Sequence, residues 1–275
     1  MTVLRFDPRL ATGLILLVPP VMLALLGLLW LPHDPNAMDL AHRYAAPSGP
    51  HPLGTDLYGR DVLSRVMAGG WRSLAMGIGG PALALVVAVP LSLLAALKGG
   101  WFEQALLRLN DAVLSIPTLI LTLLIIVGLG ASLMNAVIAI AVAIMPKFLR
   151  IAHAAATRVA IEEFVAAARI RGERTSYVMF REMLPNIMPP VIVEGSIFIG
   201  FSITAGATLS YLGLGTQPPA ADWGVMIKQS WDSVRSSVWP IIGAALPIVM
   251  VILGVNLAGD SLQDRAGISK EKAHV

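Results

Sequence analysis

Glu194 is the one charge in the apolar run from Met183 to Ala221, and Ser196, Ser202, Thr204 and Thr208 share that run. An ionisable group is costly in a lipid-facing segment, so such residues face a cavity, a water-filled route or a protein partner. The five residues offer one carboxylate and four hydroxyls, a ladder of hydrogen-bonding groups suited to passing a polar solute. Two readings of Glu194 stand side by side: it lines a translocation route, or it pairs with a neighbouring subunit or snorkels to the interface. Asn110, Asp111, Ser115, Thr118 and Thr122 form a comparable polar series on an earlier run. Serine and threonine hydroxyls in both series can also return to carbonyls of their own helix.

Other chemistry is excluded by what the sequence lacks. No G-x-x-x-x-G-K-[ST] occurs, so the chain has no phosphate-cradling loop for ATP, and no H-E-x-x-H occurs. His33, His42, His51, His153 and His274 are scattered with no ligand spacing, so no metal site and no cofactor is expected in the chain. Asp61 and Ser64 lie close together in "GRDVLSR" without a histidine base beside them, and read as a solvated or interfacial helix face. With no cysteine, disulfides and thiolate sites are absent. The chain is not expected to be an enzyme.

The elements that must carry these groups are membrane spans. Hydrophobic residues make up 56% of the 275 and charged residues only 13%, far below the roughly 25% of soluble domains. Runs at Leu10 to Pro32, Ser73 to Leu97, Ala112 to Pro146, Met183 to Ala221 and Ser236 to Gly259 are each long enough for a bilayer core of about 30 Å. The third is too long for one helix and splits at "GLGASLMN" (Gly128 to Asn135) into a hairpin, giving six helices. The first is longer than a signal-peptide core and reads as an uncleaved span.

With the N-terminus inside, fourteen Lys and Arg fall on inner segments and six on outer ones, which places both termini in the cytoplasm. All six tryptophans lie at run edges, as in an interfacial belt. The expected organisation is 1–30 for the N-terminal segment and first span, 31–72 for an outer loop with an interfacial helix, 73–260 for a five-helix core, and 261–275 for a polar tail. The core includes a cytoplasmic loop at 150–186.

That loop holds the densest arginine cluster. Ile161, Phe164, Val165 and Ala168 form an apolar stripe, Gly172 ends it, and Tyr177, Phe180 and Leu184 continue a second helical pattern up to Pro185. Arg169, Arg171, Arg174 and Arg181 surround the pair. Such amphipathic helices lie on a membrane or dock into a groove of a soluble partner, and periodicity does not choose between them.

"AAARIRG" followed by "LPN" resembles the cytoplasmic EAA loop of permease subunits of binding-protein-dependent ABC importers, with matches at Ala167, Ala168, Gly172, Leu184 and Pro185. Ala166 stands where that family usually has its acidic residue. "HPLGTDLYGRDVLSRVMAGGWRSL" (His51 to Leu74), "LSYLGLGTQPPAADWGVMI" (Leu209 to Ile227) and "NLAGDSLQDR" (Asn256 to Arg265) resemble segments of the peptide/nickel branch. The resemblance implies an all-α, six-span, type I ABC importer permease-like fold in the bacterial inner membrane. It also implies a homologous permease partner, two ATPase subunits that bind the ATP and Mg, and a periplasmic or lipid-anchored solute-binding protein. By the same resemblance Phe164, Val165, Ala167, Ala168, Arg169, Gly172, Tyr177, Leu184 and Pro185 form the ATPase-coupling element, and the solute is a di- or oligopeptide or nickel. A secondary transporter working without an ATPase is the alternative; the inverted, broken-helix repeats that mark one are not found.

Overall fold

The computed structural model describes residues 7–265. Arg5, Lys270 and Lys272 of the sidedness tally, His274 and the tail beyond Arg265 lie outside the described residues. Among the described residues the regular elements are helical, as expected of an all-α membrane protein.

Helix α1 (Pro8–Leu26) begins on Asp7, whose carboxylate accepts from the Arg9 N–H at 2.9 Å, with Pro8 in the first turn where no N–H is required. Helix α2 (Val62–Lys98) is capped by Asp61 and stops at Gly99, which takes φ 60°. It starts well before the expected Ser73, because Arg65 and Ser64 in its first turns are buried and paired rather than left to solvent. At 37 residues α2 is about 55 Å long, more than a bilayer core requires.

Helices α3 (Gly100–Leu114) and α4 (Thr118–Leu129) meet at a 92° bend at Ser115 to Pro117. Pro117 has no N–H to continue α3, so the chain turns there. With only 12 residues, about 18 Å, α4 is too short to cross alone. The polar series expected on one span is therefore divided, with Asn110 and Asp111 on α3, Ser115 at the bend, and Thr118 and Thr122 on α4. The hairpin falls where expected: Ser132 caps α5 (Leu133–Ala160), and the Asn135 amide donates to the carbonyls of Leu129 and Gly130.

A short helix α6 (Glu163–Ile170) precedes α7 (Thr175–Tyr177), which runs through a π-helical turn (Val178–Met183) into α8 (Leu184–Tyr211). Pro185 does not end a helix, contrary to the sequence pattern; the wider π turn before it removes the usual ring-to-carbonyl conflict. Helix α9 (Trp223–Trp231), absent from the hydropathy reading, is followed by α10 (Trp239–Arg265).

Five of these helices are long and apolar enough to cross a membrane, and the bent α3–α4 pair makes up to six. The bundle's ends require that sixth crossing. Arg9 pairs with Asp264 at 3.3 Å and the Ser261 hydroxyl reaches the Asp7 carboxylate, so α1 begins where α10 ends. Gly27, just past α1, packs on the Met67 backbone near the start of α2, while the guanidinium of Arg169 in the last turn of α6 reaches the Leu97 carbonyl at the end of α2.

The interior centres on α2 and α5, where Met76, Ile140, Ile144 and Phe148 are buried, and Phe148 meets Phe198 of α8 edge-on at 4.6 Å. Gly13 of α1 and Gly254 of α10 lie against one another's backbones, the close approach that small residues allow between membrane helices.

Candidate functional site

Helix α6 lies across the ends of α2 and α5 and the π-helical turn before α8. Val165 and Ala168, three residues apart, are fully buried among Leu93, Ala152, Ala156, Val178, Met183 and Ile187. Ile161, Phe164 and Ile170 remain 84%, 38% and 87% exposed. The expected stripe is thus split. Ile161 belongs to the turn after α5, not to α6, so helical spacing does not carry across, and the bundle takes the inner half of the stripe. Ala167, Arg169, Gly172 and Tyr177 are exposed, Leu184 is half-buried and Pro185 is exposed. Gly172 takes φ +76° with nothing within 4 Å of where a Cβ would stand, so this turn needs glycine for its backbone and not for space. Arg171 bridges the turn to Glu182 at 3.5 Å.

The polar series on α8 is also sorted. Helical spacing places Glu194, Ile197, Phe201, Thr204, Thr208 and Tyr211 on one face. Thr204 and Thr208, with Tyr211, Gly224, Ile248 and Ile252, line an open groove of about 280 Å³. Ser196 is turned toward Gly259 of α10, and Ser202 is fully buried with no hydrogen-bond partner among the described residues. The hydroxyls of Ser196, Thr204 and Thr208 donate to carbonyls of their own helix, as do those of Ser115 and Thr122. Glu194 is half-buried.

At the opposite end of α2 the structure assembles a polar module that periodicity did not reveal. Asp56 pairs with Arg60 at 2.6 Å, and Arg60 and Arg65 both donate to the Gln229 side chain of α9 at 3.0 and 3.2 Å. The buried Asp222 carboxylate accepts from Ser210 at 2.6 Å and caps α9 through the Val225 N–H. Trp223 is 1% exposed, its indole donating to the Val66 carbonyl, so it anchors α9 to α2 instead of joining an interfacial belt. Gly224 sits so near the Ala207 carbonyl that a Cβ would stand 2.4 Å away. The signal available in sequence was that Asp56, Arg60, Arg65, Ser210, Asp222 and Trp223 fall in the two long segments His51 to Leu74 and Leu209 to Ile227, with Gln229 two residues beyond the second.

Asp61 and Ser64 are buried, not on a solvated face. The Ser64 hydroxyl donates to Asp61 at 2.6 Å, and the His51 Nδ1 lies 3.0 Å from the same carboxylate. This order is wrong for a nucleophilic triad, where the imidazole must stand between hydroxyl and carboxylate.

Residues 88–267 match the family described as binding-protein-dependent transport system inner membrane component. A probable D,D-dipeptide transport system permease protein of Escherichia coli is 35% identical over 95% of this chain and 88% of its own length. The dipeptide transport system permease protein of Alkalihalophilus pseudofirmus is 33% identical over 92% of this chain and 83% of its own. A glutathione transport system permease protein of Pectobacterium atrosepticum is 31% identical over 95% and 87%. Inward facing structures of the MetNI methionine ABC transporter share the fold, with a TM-score of 0.55 at 20% identity over 70% of this chain and 92% of that one.

Proposed function

The chain belongs to the binding-protein-dependent transport system inner membrane components, and from that premise we propose that it passes di- or oligopeptides across the inner membrane, driven by ATP hydrolysis in separate subunits. It is a permease subunit of an ABC importer, with a type I importer fold. The peptide solute is supported by the names of the near full-length relatives; nickel, the other solute that the resemblance implied, has no support among those named, nor does a transporter working without an ATPase.

The observation that carries the energy-coupling part is the division of α6. Val165 and Ala168 pin it to the ends of α2 and α5 and to the π-helical turn before α8, while Phe164 and the neighbouring Ile161 and Ile170 present apolar surface outward. An ATPase that grips this surface would move the helix ends to which Val165 and Ala168 are fixed. In this reading the termini and the stretch 161–183 between α5 and α8 are cytoplasmic, the stretch 31–61 before α2 faces the periplasm, and a second, homologous permease completes the route beside α8. A solute-binding protein delivers the peptide at the outer module, and ATP and Mg stay in the ATPase subunits. Isolating the cognate binding protein and identifying its co-purified ligand by mass spectrometry with elemental analysis tests the solute. A peptide is expected; a metal chelate in its place overturns this reading.

A further inference from the structure

The histidines that are scattered in sequence do not stay scattered. Within the described residues, one ligand atom each from His33, His51 and Asp61 lies within 4.8 Å of the others. Their backbones are held independently. The His33 N–H donates to the Ser64 hydroxyl at 3.0 Å, the His51 carbonyl accepts from Ser48 and Gly54 N–H groups, and Asp61 caps α2.

The two imidazoles converge on one carboxylate. His51 Nδ1 is 3.0 Å from Asp61 Oδ1, and His33 Nδ1 is 3.8 Å from Asp61 Oδ2, beyond hydrogen-bonding reach. Asp61 Oδ2 already accepts the N–H and the hydroxyl of Ser64, so His33 is not held there by a bond to it. The rings stand 4.8 Å apart at 35°, close but not bonded to each other. The Asp61 side chain is 1% exposed, whereas those of His51 and His33 are 24% and 42% exposed, so the cluster opens to solvent on its imidazole side.

We propose that His33, His51 and Asp61 form a binding site for a late first-row divalent cation, Zn²⁺ foremost. Two imidazole nitrogens and one carboxylate oxygen are a ligand set such ions favour over Mg²⁺ or Ca²⁺, which prefer oxygen. Ligand atoms near 2.0–2.2 Å from a tetrahedral ion stand about 3.4 Å apart, so the farthest pair must close by about 1.4 Å, a movement open to the exposed His33 side chain. His51 would turn its proton to the other ring nitrogen, leaving its net charge unchanged. The ion would clip the segment after α1, which carries His33, and the loop around His51 to the first turn of α2. The site lies at the opposite end of that helix from α6, so it is separate from the proposed ATPase contact and does not rest on it.

The test uses tag-free full-length protein in detergent, titrated with Co²⁺ as the spectroscopic probe and then with Zn²⁺. The expected result is a saturable 1:1 d–d absorption that Zn²⁺ displaces, and a Zn²⁺-dependent rise in the unfolding midpoint. His33→Ala, which keeps the backbone bond to Ser64, should weaken Co²⁺ binding at least tenfold, as should His51→Gln, while His42→Ala in the exposed His42–Asp39 pair should titrate like the parent. No saturable signal, a His33→Ala protein that binds like the parent, or loss of the signal in His42→Ala would each overturn the site.

Discussion

Phe164 and Val165 are neighbours on α6, about 100° apart round the helix, and meet different surroundings: Val165 is fully buried in the cluster with Leu93 and Met183, while Phe164 is 38% exposed. The same substitution at the two positions therefore separates folding from docking. Phe164→Asp should leave the bundle intact but place an unpaired charge in the contact, a loss of about 2 kcal/mol or more and over tenfold in ATPase binding. Val165→Asp buries that charge inside the chain, at about 3 kcal/mol or more of stability. Co-purification of the ATPase, read beside thermal unfolding, checks both. A Phe164→Asp protein that retains its ATPase and transports like the parent would remove α6 as the coupling element.

Gly172 gives a second handle on the same turn. Its φ of +76° is strained for any residue with a Cβ, but no atom lies within 4 Å of that Cβ, so conformation alone sets the cost. Gly172→Val should cost about 1 kcal/mol or more, and Gly172→Asn clearly less, because asparagine enters the left-handed region more readily. Uptake should follow the order Gly, Asn, Val. Equal loss in the Asn and Val variants would point to a steric role that the open surroundings do not support.

The proposed sidedness rests on charge, and the structure sharpens how to test it. Ser48 is exposed near the start of α2 and Ser176 is exposed near its end, about a full span apart. Single cysteines there, in a chain that has none, must respond oppositely to an impermeant thiol reagent in intact cells. Labelling at position 48 and protection at 176 is the expected outcome; the reverse inverts the topology.

Hydropathy located the spans because lipid demands long apolar runs, and the hairpin was legible because Gly130 and Ser132 punctuate one of them. The 92° bend at Pro117 and the passage through Pro185 were not, since a proline reads alike whether it breaks a helix or follows a π turn. Ile161 and Phe164 shared a period with Val165 and Ala168, but a period does not show where one helix stops and the next begins. The polar module at the start of α2 was hidden for a different reason. Nothing in a single sequence gives a reason to bury Arg60, Arg65 and Asp222, and only tertiary pairing with Asp56, Gln229 and Ser210 makes their burial tolerable.

Asp222 is the member of that module whose loss should be most visible. It caps α9 and satisfies the buried Ser210 hydroxyl. Asp222→Ala removes the cap and strands that hydroxyl, together about 2–4 kcal/mol. Asp222→Asn keeps an acceptor and should lose less. Both effects should appear in unfolding measurements of the chain without its ATPase, since α9 lies far from α6; wild-type stability in Asp222→Ala would show that the module is not what holds α9 in place.

Glu194 tests whether the exposed face of α8 belongs to the route. It shares that face with Thr204 and Thr208, whose hydroxyls already donate within the helix and so present their oxygen lone pairs and methyl groups outward. Along this face Glu194 supplies the one formal charge, and about 15 Å of helix separates it from Thr204. Glu194→Gln keeps the shape and removes the charge. If the face lines the route, uptake of peptides with a free amino terminus should weaken more than uptake of blocked peptides, because only the former carry a cation for the carboxylate to meet. Assembly with the ATPase should be unchanged. Identical kinetics for both peptide classes in a fully assembled complex would take Glu194 out of the route and leave it a partner-facing or interfacial charge.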